Sequence, residues 1–292
     1  MNLQNKTELT KETITLFDDY LTDKDWQIKE NANTQYSING LNNYVRESFT
    51  KQYWLENVYT ERIKKAHIDG DIHIHDLGFF GTYCQGWDLK MLLTEGFGGV
   101  PGKVESKPPK HLRSFLNQIV NSTFTTQGEA AGAQAWSSFD TYCAPFVYYD
   151  KLSYEDVKQC IQEFVFSLNT PTRVGFQCPF SNLTFDIKCP STLAEQYVLI
   201  GGNLMDKQYK DFQKEMDMIN MAFCDVMIEG DSKGRVFTFP IPTINVTKDF
   251  DWDSPVVNKY MEITCKHFTL FNQRLINLLS SSVHSGTSRK AQ

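Results

Sequence analysis

The stretch Ser153–Phe185, SYEDVKQCIQEFVFSLNTPTRVGFQCPFSNLTF, decides the fold class. Ser153 with Asp156 three residues on has the form of a capping box, which starts a helix. Val157, Cys160, Ile161, Phe164, Val165 and Leu168 then recur at helical spacing and make one apolar stripe. A Pro-rich break follows, and Leu183–Phe185 reads as a short strand. Helix followed by strand recurs on both sides. Leu41–His67 reads as one long helix carrying Tyr44, Phe49, Tyr53, Trp54 and Val58. Pro108 and Pro109 precede a helix with Leu112, Phe115, Leu116, Ile119, Val120 and Phe124 on one face. A further helix runs from about Gln208 to Glu229, with Gly230 placed to end it. Between them, Ile72–Asp76, Val236–Phe239 and Thr243–Val246 read as short strands. Strands separated by helices predict an α/β arrangement with parallel pairing.

The 292 residues carry 29 Lys and Arg against 35 Asp and Glu, a net charge of −6, which argues against a general nucleic-acid coat. With 41% hydrophobic residues the chain can bury a core without staples. The polar start MNLQNKTELT has no signal-peptide core, and no apolar run approaches the roughly 18 residues of a membrane span. The expectation is a soluble, cytoplasmic protein with no membrane partner and no direct nucleic-acid binding. The seven cysteines, Cys84, Cys143, Cys160, Cys178, Cys189, Cys224 and Cys265, are scattered without a CxxC pair. They read as reduced thiols, most of them packed as small apolar residues, and give no structural zinc site.

Three segments are candidates for chemistry. In His67-Ile-Asp-Gly-Asp-Ile-His73-Ile-His75-Asp76, a strand would put His73 and His75 on one side, with Asp76 as a third polar group. That arrangement can ligate a metal or line a barrel interior with hydrogen bonds; the second reading is favoured, and no metal is expected. Tyr83-Cys84-Gln85-Gly86-Trp87 sets a thiol between aromatics, beside a glycine that allows close approach of a ligand. Gln177-Cys178-Pro179-Phe180-Ser181-Asn182 has amides that could bond a sugar or base edge, or simply close a turn. Gly96-Phe97-Gly98-Gly99 lacks the order of a phosphate cradle and reads as a turn.

Taken in order, HIHDL, YCQGWDLKMLL, PPKHL, GEAAGAQAWSSFDTY, EFVFSLN, RVGFQCPFSN and GRVFTFPIPTINVTKDFDWD resemble the anaerobic (class III) ribonucleoside-triphosphate reductases, in the phage-type form without an ATP-cone. The resemblance spans about Asn31 to Glu262. It implies a ten-stranded α/β barrel of two parallel five-stranded halves, of which this chain would be the first half. By the same resemblance, a C-terminal glycyl radical makes a thiyl radical on a finger-loop cysteine, the thiyl takes the 3′-hydrogen of a ribonucleoside triphosphate, and formate is the final reductant. Cys84 matches the cysteine that donates hydrogen as the 2′-hydroxyl leaves as water. His73 and His75 would line the same pocket, Gln177 and Asn182 match the segment near the substrate, and Asn220 lies in a helix of the family's pattern. His111 and Gln118 fall in the region that pairs subunits and binds dNTP or ATP effectors. Further implications are deoxyribonucleotide supply for DNA replication in an anaerobic or phage-infected bacterial cell, allosteric control in a homodimer, and an S-adenosylmethionine iron–sulfur activating enzyme as partner.

After Met261-Glu-Ile-Thr264 the resemblance stops. The finger-loop cysteine, the four-cysteine zinc site and the radical glycine find no matching positions. Arg173-Val174-Gly175-Phe176 superficially resembles the radical loop but stands directly before QCPF and is rejected as a radical site. Expected domains are therefore an N-terminal helical segment 1–66, a first half-barrel 67–264, and a divergent tail 265–292 read as a frameshifted or intron-read extension. The chain alone is expected to be inactive, with a separate C-terminal half as a further partner. Two other readings are a non-catalytic effector-binding and dimerisation module and, least favoured, a metal-dependent hydrolase on His73, His75 and Asp76.

Overall fold

The computed structural model describes residue 11, residues 14–22 and residues 36–266. Most of the expected tail, 267–292, and parts of the N-terminal segment lie outside the described residues. The chain divides into two compact units. The first joins Met1–Cys84 with Gln127–Gly132 and Pro171–Cys178, and the second takes Gln85–Thr126, Ala133–Thr170 and the chain from Pro179 on. The expected boundary at 66 therefore falls inside the first unit.

In the first unit, the single helix expected over Leu41–His67 is two. Helix α1 (Ile38–Tyr53) is capped by Ser37, whose side chain accepts from the Gly40 N–H, and runs into one π-helical turn, Trp54–Val58. Tyr59 is extended, and α2 (Glu61–Ile68) starts afresh. Long-range contacts override the local periodicity here: the Trp54 ring stacks on Phe80 at 4.8 Å and its Nε1 donates to the Phe79 carbonyl at 3.0 Å. The run Ile72–Asp76, expected as a strand, is a series of bends and turns. Two of its backbone donors are taken locally, Ile72 by the Ala66 carbonyl and Ile74 by His67 Nδ1, and so are withheld from a ladder.

The second unit holds, in chain order, β1 (Gln85–Trp87), α3 (Lys90–Thr94), α4 (Leu112–Thr126), β2 (Gln134–Trp136), α5 (Phe139–Tyr149), α6 (Tyr154–Leu168), β3 (Ser181–Phe185), α7 (Ser191–Ala194), β4 (Tyr197–Ile200), β5 (Asn203–Gln208), α8 (Gln213–Glu229), β6 (Ile241–Ile244) and α9 (Pro255–Lys266). Four strands form a parallel sheet in the order β1-β2-β3-β6. The capping box at Ser153 and Asp156 is present, and α6 buries the six residues of its expected stripe. Helix α8 begins after a 3₁₀ turn at Tyr209–Phe212 and ends at Gly230, φ 72°. The stretch Val236–Phe239 is not a strand, because the Asn169 side chain accepts from the Thr238 and Phe239 N–H groups. Strand β6 instead starts at Ile241 and carries Pro242, which the sheet edge tolerates.

Burial alternates along β3: Ser181, Leu183 and Phe185 are buried, while Asn182 and Thr184 are half-open. Helices close the first face. Phe185 packs edge-on to Phe139 at 5.5 Å and lies 4.8 Å from Phe223 and 5.7 Å from Tyr260. Each such side chain contributes roughly 1.5–3 kcal/mol on burial. Among the described residues no helix is long and apolar enough to cross a membrane.

Candidate functional site

The period-2 geometry of the sheet sorts the candidate residues by face. Register pairs Gly86 with Ala135, Ala135 with Asn182, and Asn182 with Ile241, so these four form one row across the half-open face. Thr184 and Thr243 pair in the next row on that face. The Asn182 amide donates to the Thr243 hydroxyl at 2.9 Å. A Cβ placed on Gly86 would meet nothing within 4 Å. The result is a floor of small residues beside Ile241, with two hydroxyls and an amide.

On the closed side, beyond the ends of β2, β3 and β6, lies a buried polar network. Both oxygens of Asp140 are saturated: Oδ1 accepts from the Thr141 and Asp186 N–H groups, and Oδ2 from the Ile187 N–H and the Asn220 amide, all at 2.9–3.0 Å. Asp186 accepts from the Thr141 hydroxyl and the Asn245 amide, both at 2.7 Å. Burial first, and the Asp186 carboxylate second, push Asp140 up to about 6, against the opposing bonds from Asn220 and the backbone. Ile187 sits at φ 63°, a strained position for a β-branched residue, and its N–H is the one Asp140 holds. Asn220 is fully buried and also accepts from the Tyr260 hydroxyl at 2.9 Å. The expected substrate-pocket role of Asn220 is thus replaced by a place in the scaffold, because its amide is spent on core partners.

In the first unit, Cys84 is exposed and is the residue before Gln85, where β1 starts. Its Sγ lies over Gly132: a Cβ built on that glycine would stand 2.7 Å from the sulfur and 2.9 Å from the Tyr83 carbonyl. The loop carrying Gly132 is tied in by a parallel bridge from Thr82 to Ala130 and by the Ala131 N–H on the Thr82 carbonyl at 3.0 Å. Arg173 donates to the Ala130 and Ala131 carbonyls at 2.9 and 2.7 Å. His73 and His75 are exposed, with Nε2 of the first 3.4 Å from Nδ1 of the second, and the His75 ring packs edge-on to Tyr83 at 5.4 Å. Burial, then Cys84 and Asp76, raise the Tyr83 hydroxyl above its ordinary value. His73 and His75 thus come together at the edge of the turn that starts at His75, outside any strand. Gln177 is half-buried, and its backbone carbonyl accepts from the Arg173 N–H at 2.9 Å.

His111 and Gln118 stand apart from these. His111 Nδ1 lies 2.8 Å from Asp150 Oδ1, while Asp150 Oδ2 accepts from the first N–H of α4 at 3.0 Å. Gln118 is 7% exposed, and its amide donates to the Lys107 carbonyl at 2.8 Å. Within one chain both therefore serve the start and packing of α4, and Gln118 presents no open binding surface. Among the described residues no group of three or more His, Cys, Asp or Glu is placed to hold a metal ion. Sequence reasoning missed Gly132, Arg173 and Thr243. The run of small residues Gly128-Glu-Ala-Ala-Gly132 was the available signal for a close approach of backbone to another group.

Residues 30–289 match a family model described as anaerobic ribonucleoside-triphosphate reductase, a span that includes most of the tail expected to be foreign. The anaerobic ribonucleoside-triphosphate reductase of Enterobacteria phage T4 is 24% identical over 189 residues, covering 56% of this chain and 31% of that protein. The reductase of Escherichia coli K12 is 29% identical over 130 residues, covering 43% and 17%. Among solved structures, the anaerobic ribonucleotide reductase of Thermotoga maritima with citrate in its active site superposes with a TM-score of 0.67 at 18% identity, covering 87% of this chain and 48% of that one. The same enzyme with dATP bound in its specificity site gives 0.65 at 18% identity, covering 87% and 46%. The chain spans half or less of the length of these relatives, and the structural likeness establishes an α/β fold of their barrel type.

Proposed function

The chain belongs to the anaerobic ribonucleoside-triphosphate reductase family, and from that premise we propose that it supplies the first half-barrel of an enzyme reducing ribonucleoside triphosphates to their 2′-deoxy forms. Radical chemistry drives the reaction and formate is the final reductant. Cys84 gives a hydrogen atom to the substrate as the protonated 2′-hydroxyl leaves as water. The ribose lies on the floor of Gly86, Ala135, Asn182, Thr184 and Thr243. Gln177, His73 and His75, in the first unit, are by the family resemblance further polar groups for the substrate. The glycyl radical and structural zinc of the family find no fitting residues among those described, so no step here runs through them.

The observation that most supports this reading is the exposed Cys84 thiol, seated on Gly132 one residue before β1. The test is anaerobic conversion of CTP to dCTP by a polypeptide joining these residues to the second half-barrel of a family member, with its activating enzyme. Cys84→Ser should abolish product, and undiminished product would refute the role. The 292-residue polypeptide alone should bind nucleotide without turnover. Control by dNTP or ATP effectors and pairing into a homodimer belong to the same proposal. Sedimentation with and without dATP tests them, with a dATP-independent monomer as the contradicting result.

A further inference from the structure

The stretch Arg173-Val174-Gly175-Phe176 has no part in the function proposed above, yet Arg173 is the link between two segments that frame the reactive thiol. Its guanidinium reaches across to the loop Gln127–Gly132 and donates to two successive carbonyls, Ala130 at 2.9 Å and Ala131 at 2.7 Å. Both bonds leave Nη2, whose two N–H groups diverge in the rigid guanidinium plane and so hold two neighbouring acceptors at once. Burial, and Arg46 less strongly, draw the guanidinium below its ordinary value, while Asp76 and Glu47 favour its charge. The loop so held is the one that pairs with the chain leading to Cys84. Ala131 donates to Thr82, Gly132 donates to Tyr83, and Thr82 bridges Ala130. Its last residue has no side chain, and the space that a side chain would fill is occupied by the Cys84 sulfur, 2.7 Å from the position of a Cβ.

We propose that Arg173 and Gly132 are positioning residues for Cys84: Arg173 clamps the 130–132 loop, and Gly132 leaves the seat in which the sulfur is held. Arg173 touches no reacting atom, and Gly132 meets the sulfur with its backbone alone and supplies no reacting group. Both act by fixing where the thiol stands, the property a hydrogen donor needs if it is to meet one carbon of a substrate. The proposal rests on the reading of Cys84 as the working thiol, but the positioning itself is measurable without turnover.

The experiment is alkylation of the native chain by iodoacetamide, with each cysteine followed by peptide mass spectrometry. Exposed Cys265 serves as the internal reference, and buried Cys143 and Cys224 report unfolding. Two variants are compared with the parent, Gly132→Ala and Arg173→Gln. The added methyl evicts the sulfur from its seat, and loss of the clamp frees the loop, so both raise the rate at Cys84 relative to Cys265. The expected rise is about fivefold or more, the equivalent of one lost hydrogen bond. Cys143 and Cys224 stay protected. Arg173→Lys, whose point charge can still serve one carbonyl, falls between parent and Arg173→Gln.

A ratio within about twofold of the parent in both variants, near the resolution of such a free-energy difference, overturns the proposal. A parallel rise at Cys143 and Cys224 also overturns it, since the effect would then be loss of fold. If Gly132→Ala does not fold, Arg173→Gln with its Lys counterpart decides. Failure here leaves the Cys84→Ser turnover test standing, and failure of that test leaves the clamp standing, so the two claims are separable.

Discussion

Replacing Asn220 by Ala tests whether this residue belongs to the scaffold or to a substrate pocket. The Asn220 amide donates to the Asp140 carboxylate, and its oxygen accepts from the Tyr260 hydroxyl, both at 2.9 Å with no solvent access. A bond to a charged acceptor contributes roughly 1.5–3 kcal/mol, and the orphaned buried hydroxyl costs roughly 1–3 kcal/mol. Asn220→Ala should therefore destabilise by about 3–5 kcal/mol, a large part of a total stability of about 5–15 kcal/mol. Tyr260→Phe removes only the donor and should cost about 1–2 kcal/mol. The double variant should cost about 1 kcal/mol less than the sum, because one orphan is removed along with the other. Urea denaturation at pH 7, followed through Trp87 and Trp136 fluorescence, measures all three. A loss below about 0.5 kcal/mol for Asn220→Ala, smaller than a typical net hydrogen bond, would refute the network as a holding element. Weakened CTP binding at unchanged stability would return Asn220 to the pocket.

Asp140 should make stability depend on pH. Its carboxyl is raised from 3.8 to about 6, chiefly by burial, so its stabilising contribution is complete below 3.8 and is lost as pH rises through about 6. The advantage of the parent over Asp140→Asn should therefore shrink as the pH is raised from about 4 to about 7. Paired urea titrations check this, and a flat difference would refute it. Ser153→Ala removes the capping box of α6 and should cost about 1 kcal/mol in the same assay. Gly230→Ala forces a side chain to φ 72° and ψ −161°, with its Cβ 2.5 Å from the Arg235 carbonyl oxygen. A loss of about 1–3 kcal/mol is expected.

Helices α4, α6 and α8, each with one apolar face, were legible in the sequence. Helix α5, with no polar face, was not, and the short amphipathic α9 was also missed. The stripe and capping box of α6 are local features and appear as expected. Helix α5 is buried from Phe139 to Val147 and carries Pro145, so it shows no amphipathic period and has a residue that ordinarily ends helices. The hairpin of β4 and β5 was readable in part: Gly201-Gly202 after the apolar run Tyr197–Ile200 is a two-residue turn signal, and both glycines take positive φ, although the second strand is largely polar. The sequence reading assigned no element to it, and the expected helix began only at about Gln208.

Other differences are set by distant partners. Asn169 takes the backbone donors of Thr238 and Phe239, and the His67 ring takes that of Ile74. No local pattern reports such contacts. The same holds at the candidate site. Cys84 stood out by its aromatic and glycine neighbours, whereas Gly132 and Arg173 matter through contacts with residues far along the chain, Cys84 and Tyr83 for the first and Ala130 and Ala131 for the second.

The most direct test of the central claim is an amide NMR titration of the isotopically labelled chain with CTP. The account predicts saturable shifts at Ala135, Asn182, Thr184 and Thr243, on the half-open face of the sheet, and their loss in Asn182→Ala. No shift at millimolar CTP, or shifts confined to residues off that face, would contradict it.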